Sequence, residues 1–308
     1  MESLIRMNQL KGVWVPVLSP MDASLSLDRS RFFDHLQWLF KHGIDGAVLF
    51  GTNGEANSFS VQERMEFLEW VYTQNLSNNR VIVGTGCSAL TDTTTLSKHA
   101  VSLGYFNHLV LPPFYYKNPT QQGLVNYYSE VIQQVNDGRL KLYLYNFPQL
   151  SGINLGPELV AELKKQFPQQ ITGYKDSSGN WENTIAVMDK CPGITMFPGS
   201  EVFLLKILEA GGAGIISGTA NVNPESIKQT YEAFFSDSHK ALVLQKEIES
   251  FRLAVQKYPL IGALKSLIKH YRKDDEWQYI RPPLSLLSSS DFAALLDAVK
   301  SMKFTLAA

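Results

Sequence analysis

The chain has 308 residues, of which 44% are hydrophobic and 19% charged, and its formal net charge is -1. That is an ordinary balance for a globular protein long enough to bury its own core without disulfide or metal staples. With no long basic or acidic run, the balance argues against nucleic acid and anionic membranes as main partners and leaves small anionic substrates open.

No apolar run is long enough to span a bilayer. The opening Met1-Glu2-Ser3-Leu4-Ile5-Arg6 lacks the apolar core of a signal peptide, so a cytoplasmic protein is expected. Cys87 and Cys191 are the only cysteines and form no Cys-x-x-Cys pair. The six histidines, at 35, 42, 99, 108, 239 and 270, show no metal-ligand spacing, and most are expected to be surface or structural groups.

Val13 to Leu18 reads as a first apolar strand. From Asp28 to His42, Phe32, Phe33, Leu36, Leu39 and Phe40 recur at helical spacing, and Gly43 closes the helix. Gly46 to Phe50 is the next strand, ending in Gly51-Thr52-Asn53-Gly54-Glu55. Ser60 then caps a helix over Val61 to Thr73, with Glu63 at the capping-box position. The alternation continues with strands at Val81 to Val83, His108 to Leu111 and Leu142 to Tyr145, followed by helices at Asp92 to Leu103, Thr120 to Val135 and Pro157 to Phe167. Strands at Ile171 to Tyr174, Ile194 to Phe197 and Gly214 to Ser217 precede helices at Glu182 to Met188, Glu201 to Ala210 and Pro224 to Phe235.

Eight strand–helix units with apolar strands and short connections predict an α/β fold, a (β/α)₈ TIM barrel, over residues 1–235. A doubly wound open sheet is the competitor, but Gly84-Thr85-Gly86 lacks the third glycine of a dinucleotide turn. After about Phe235 the strands stop. Leu242 to Val255, Ile261 to Tyr271 and Asp291 to Met302 read as helices, with Arg281-Pro282-Pro283 as a breaker, so residues 236–308 form a helical appendage.

Barrel enzymes keep their chemistry at strand C-termini. Lys175 ends the sixth strand, in Gly173-Tyr174-Lys175-Asp176. Burying such a lysine favours the neutral amine, which attacks a ketone to form an imine. A lone strand-end lysine is more often solvated, here beside Asp176, so the neighbouring strand ends have to decide. The two glycines of Gly51 to Glu55 suit an anion nest for a carboxylate, or simply a tight turn. Tyr145, in Tyr145-Asn146-Phe147-Pro148, is placed to carry protons, or to sit in the core. Tyr115 and Tyr116, Gly199-Ser200-Glu201 and Gly214 to Thr219 end other strands and have the same two readings. Together, a carboxylate holder, a proton carrier and an amine meet the needs of imine chemistry on a 2-oxo acid.

Gly51-Thr52-Asn53-Gly54-Glu55, Tyr145-Asn146-x-Pro148 and Gly173-x-Lys175-Asp176 resemble, in order and spacing, the motifs of the dihydrodipicolinate synthase / N-acetylneuraminate lyase family of pyruvate-dependent class I aldolases. The resemblance covers the barrel and the helical tail. It implies that Lys175 forms the Schiff base with pyruvate and that Tyr145 gives and takes the proton. It implies that Thr52, Asn53 and Gly54 hold the pyruvate carboxylate and that Gly199 and Ile216 line the site. It also implies no metal or organic cofactor, a catalytic part for Thr52, and a homo-oligomer, a dimer of dimers, in which Tyr116 matches the tyrosine that in the synthase branch reaches a neighbouring subunit's site as part of a proton relay.

The sequence departs from the family pattern at two places. Asn53 replaces a hydroxyl residue, which preserves backbone contacts and ends a hydroxyl relay through that position. Leu150 stands where the lysine-pathway synthases carry the arginine that binds the second substrate's carboxylate. The resemblance is therefore closest to 2-keto-3-deoxy sugar acid aldolases, acting on pyruvate and a 4-hydroxy-2-oxo acid. Condensation of pyruvate with aspartate semialdehyde, the 4-hydroxy-tetrahydrodipicolinate synthase reaction, is the alternative. A non-catalytic 2-oxo acid binding barrel is a third reading, disfavoured because Lys175 and Tyr145 are both present.

Overall fold

Short runs rich in β-branched and aromatic residues make eight strands in the computed structural model, which describes residues 9–307. They are β1 (Gly12–Pro16), β2 (Gly46–Leu49), β3 (Val81–Gly84), β4 (Asn107–Val110), β5 (Lys141–Asn146), β6 (Ile171–Asp176), β7 (Thr195–Pro198) and β8 (Gly214–Ile216). Neighbours in sequence pair in parallel from β1 to β7, and β1 also pairs β8. The N–H of Ala213, just ahead of β8, donates to the Met196 carbonyl on β7 at 3.0 Å and carries the ring across its last gap. The chain is an α/β protein of the TIM-barrel type, as its alternation predicts. The reading of Met1 to Arg6 lies outside the described residues.

Period-two alternation decides what faces the site. Trp14, Val48, Ile82, Tyr143, Phe197 and Ile216 fill the barrel interior. The residues between them, such as Val13, Val15, Leu49, Val83 and Ile215, pack outward under the helices. Tyr174 belongs to the outer layer, so Lys175 falls on the inner one. Tyr145 is in the inner cluster and is the register partner of Lys175 across β5 and β6.

The predicted caps form. Asp28 accepts from the Arg31 N–H at the start of the helix Arg29–Lys41, and the Ser60–Glu63 capping box opens Val61–Thr73. Glu63 also takes Arg281 Nη2 at 2.5 Å, and that guanidinium holds the Glu63 carboxyl down at about 2. The breaker at Arg281 is thereby tied to the barrel. Two segments differ from expectation. Glu201 to Ala210 is not one helix: Glu201–Phe203 winds as a 3₁₀ turn before the α-helix Leu204–Glu209. The tighter turn accompanies a Glu201 carboxylate that is fully buried and bonded to Ser217 and Thr219. After β5 the chain makes a short helix, Pro148–Ser151, where a loop was expected.

Beyond the barrel lie the helices Ser238–Val255, Leu260–Arg272 and Ser289–Ser301. Their own core, with Phe251, Leu264, Trp277 and Leu295, takes in Leu18 and Val222 from the barrel, so the helices pack on it without a free linker. A second tie is polar. Lys265 Nζ meets Glu55 Oε1 at 2.5 Å with both side chains fully buried. Burial raises the Glu55 carboxyl and lowers the Lys265 ammonium, and each partner opposes the shift of the other. Removing one partner of such a pair leaves the other charge uncompensated, which is why the pair fixes the loop that carries Glu55.

Cys87 and Cys191 are buried free thiols. His35 and His108 are structural, bonded to Asn221 and the Tyr105 carbonyl, and burial pushes them down to about 3 and about 4. No helix among the described residues is long and apolar enough to cross a membrane.

Candidate active site

The C-terminal ends of β5 and β6 put an amine and a phenol side by side. Lys175 is 3% exposed and its Nζ lies 4.1 Å from the centroid of the Tyr145 ring. The Tyr145 hydroxyl is 3.1 Å from Thr52 Oγ1 on the loop after β2. Asp176 does not pair with Lys175 among the described contacts. Its carboxylate accepts from Asn146 at 3.2 Å, the Ser178 N–H at 2.9 Å, and Asn183 and Thr184 at 3.0 Å each. That saturated carboxylate anchors the strand end and leaves the lysine without a fixed counter-ion.

The loop Gly51–Glu55 is bracketed by Phe50 and Glu55, both left-handed at φ +53° and +54°. For residues with a Cβ that conformation costs roughly 1–2 kcal/mol each. The buried Glu55–Lys265 pair holds one end of the turn in place. Among the described residues, the Asn53 and Gly54 N–H groups have no hydrogen-bond acceptor, and the buried Asn53 Nδ2 also lacks one. A loop with several such donors suits a carboxylate.

A cavity of about 580 Å³ opens at this mouth. Lys175, Tyr145, Asn53, Ile216 and Gly199 all line it, as do Ser177 and Ser178 after β6. Two glycines shape its wall. A Cβ at Gly199 would sit 2.1 Å from Ser177 Oγ, and one at Gly218 would sit 2.6 Å from Asn53 Nδ2. Thr52 stands behind Tyr145, in a small recess shared with Gly84 and Leu109. Gly54 lies under the loop, against the Val17 carbonyl, and is not part of the cavity wall.

Two expected site residues do not line this chain's cavity, and for Tyr116, expected at a neighbouring subunit's site, that is no departure. Tyr116 is 74% exposed and stacks edge-on against Tyr115. Leu150 is 57% exposed: the short helix Pro148–Ser151 turns it outward and puts Gln149 on the cavity wall. The structure adds one charged group that the strand-end reading missed. Arg252, from the helix Ser238–Val255, lines the cavity beside Gln256. Its signal was present in the sequence. Ile248, Phe251 and Val255 form the buried stripe of that helix, and Arg252 sits on the same stripe, four residues after Ile248.

Residues 9–302 match the model of the dihydrodipicolinate synthetase family. The chain belongs to that family. It is therefore an enzyme, a pyruvate-dependent lyase. It is 31% identical over 293 residues, 95% of this chain and 97% of that protein, to an uncharacterized DapA-like lyase of Chloroflexus aurantiacus. A crystal structure of dihydrodipicolinate synthase from Agrobacterium tumefaciens superposes with a TM-score of 0.87 at 27% identity, covering 94% of this chain and 99% of that one. The Escherichia coli K12 prophage protein YagE, solved in complex with pyruvate, superposes with a TM-score of 0.86 at 26% identity, covering 95% and 98%.

Proposed function

We propose that the protein is a class I aldolase that makes or cleaves a 2-keto-3-deoxy sugar acid, or a related 4-hydroxy-2-oxo acid, through a Lys175–pyruvate imine. The observation that carries this reading is the buried Lys175 amine against the Tyr145 ring, with the Tyr145 hydroxyl bonded to Thr52. The pyruvate bound to YagE supports the donor. Lys175 attacks the pyruvate ketone, and loss of water gives the imine. Tyr145 gives its proton to the departing water and regains one from C3 as the imine draws the electrons of that C–H bond, which forms an enamine. In the synthetic direction that carbon bonds to the aldehyde carbon, Tyr145 protonates the new C4 oxygen, and water releases the product from Lys175. Asn53, the residue of the loop Gly51–Glu55 on the cavity wall, holds the pyruvate carboxylate through donors that have no acceptor among the described residues. The proposed chemistry involves no metal or organic cofactor. Residues 1–235 are the catalytic barrel in this reading and residues 236–308 the helical region, which adds Arg252, Leu253, Gln256 and Leu260 to the cavity wall.

The assay is pyruvate condensation with glyceraldehyde and with aspartate semialdehyde. Glyceraldehyde is expected to be the better partner, because Leu150 offers no guanidinium at the loop after β5. A charge-assisted contact missing there is worth about 1.5–3 kcal/mol, or roughly ten- to a hundredfold in kcat/KM. A preference of tenfold or more for aspartate semialdehyde would move the protein to the synthase branch. The assembly we propose is a homo-oligomer, a dimer of dimers, because the role that the family resemblance implies for the exposed Tyr116 needs a second subunit. Sedimentation at assay concentration reads this directly, and a fully active monomer removes Tyr116 from the reaction.

A further inference from the structure

Arg252 is a charged group of the cavity wall that imine chemistry does not use. Its side chain is 13% exposed, and it reaches the cavity from the appendage rather than from a strand end. Its Nε donates to Gln256 Oε1 at 3.2 Å. Its Nη1 is buried, 3.6 Å from Glu201 Oε2, and has no hydrogen-bond acceptor among the described residues. Glu201 offers the guanidinium charge but no hydrogen bond. The carboxylate already takes hydroxyls from Ser217 and Thr219, on its two different oxygens. Gln245 holds the helix to the same turn by donating to the Glu201 carbonyl at 2.8 Å. The guanidinium is thus aimed by its neighbours, with Nε spent on Gln256 and Nη1 left without a hydrogen-bond acceptor among the described residues. Buried donors without acceptors are costly, and a bound oxyanion relieves that cost.

We propose that Arg252 selects the second reactant by gripping an acid group at the end remote from its aldehyde, provided no cation stands beside it, as the ammonium of aspartate semialdehyde does beside its carboxylate. The inference rests on the lyase reading above and names the class of partner for the same site: a hydroxy-aldehyde carrying a carboxylate, so that the condensation product is a 2-oxo sugar diacid. The chemistry itself does not change. The pyruvate enamine carbon bonds to the aldehyde carbon, the aldehyde oxygen takes its proton from Tyr145, and water frees the product from Lys175. Arg252 acts on binding, through a planar fork that matches a carboxylate, which a neutral hydroxymethyl end cannot supply.

The test uses two aldehydes that differ only at that end: tartronate semialdehyde, with a carboxylate, and glyceraldehyde, with a hydroxymethyl group. The wild-type enzyme is expected to prefer tartronate semialdehyde by roughly ten- to a hundredfold in kcat/KM, carried by KM. In Arg252→Gln the loss on tartronate semialdehyde should exceed the loss on glyceraldehyde by tenfold or more, and Arg252→Lys should recover part of it. Equal use of both aldehydes by the wild type overturns the proposal without any variant, as does an Arg252→Gln loss that is the same for both. Borohydride trapping of pyruvate alone on the wild type separates the two levels. If trapping fails, the imine reading falls. If trapping succeeds and the preference is absent, only the role of Arg252 falls.

Discussion

Pyruvate and borohydride together are expected to label the protein covalently at Lys175, and Lys175→Ala is expected to abolish both labelling and turnover. The imine is the electron sink, so no other group in the cavity replaces it. Removing a covalent nucleophile costs on the order of 10⁴–10⁶ in kcat in enzymes where it has been measured, or about 5–8 kcal/mol at 1.36 kcal/mol per tenfold. The fold should survive. Lys175 makes no ion pair among the described residues, and Asp176, which anchors the strand end, keeps its four donors. Peptide mapping of the reduced adduct decides the assignment. Label on a different lysine, or full labelling of Lys175→Ala, would remove Lys175 from the mechanism. Lys265 is the instructive control, being as buried as Lys175 but already spent on Glu55 at 2.5 Å.

The barrel and the meeting of Lys175 with Tyr145 at its mouth are legible in the sequence for a physical reason. In a parallel barrel all strand C-termini open on one mouth, so residues that end different strands become neighbours wherever they fall in the chain. Period-two alternation then picks which of Tyr174 and Lys175 faces in. What lay beyond the sequence was the placement of parts that no strand carries. Leu150 is apolar yet exposed, because a helix of four residues is aimed by the chain around it rather than by its own hydrophobic pattern. Arg252 shows the converse. Its place on a buried stripe marks it as inward-facing, but only the docking of the helix Ser238–Val255 over the mouth says that inward means the cavity. Gly54 sits in the right motif and still serves the backbone, pressed against Val17.

Tyr145→Phe is the change that separates proton transfer from architecture. It keeps the ring face 4.1 Å from the Lys175 amine and its place in the barrel's inner cluster, and deletes only the hydroxyl. General acid–base transfer by a positioned side chain contributes about 10²–10⁴-fold. The variant is therefore expected to lose about 10²–10⁴ in kcat while its melting temperature moves by only a few degrees. Trapping of pyruvate should slow as well, because dehydration of the carbinolamine on Lys175 draws on the same hydroxyl. Thr52→Val removes the partner 3.1 Å from that hydroxyl and is expected to cost less. An ordinary neutral hydrogen bond is worth about 0.5–1.5 kcal/mol, roughly two- to tenfold in rate. The order of the two effects is the test. If Tyr145→Phe keeps more than a tenth of wild-type kcat, the proton travels by another route. If Thr52→Val is the more damaging change, the hydroxyl of Thr52, and not that of Tyr145, meets the substrate oxygen. The recess where Thr52 stands behind Tyr145, off the wall of the main cavity, argues for the tyrosine.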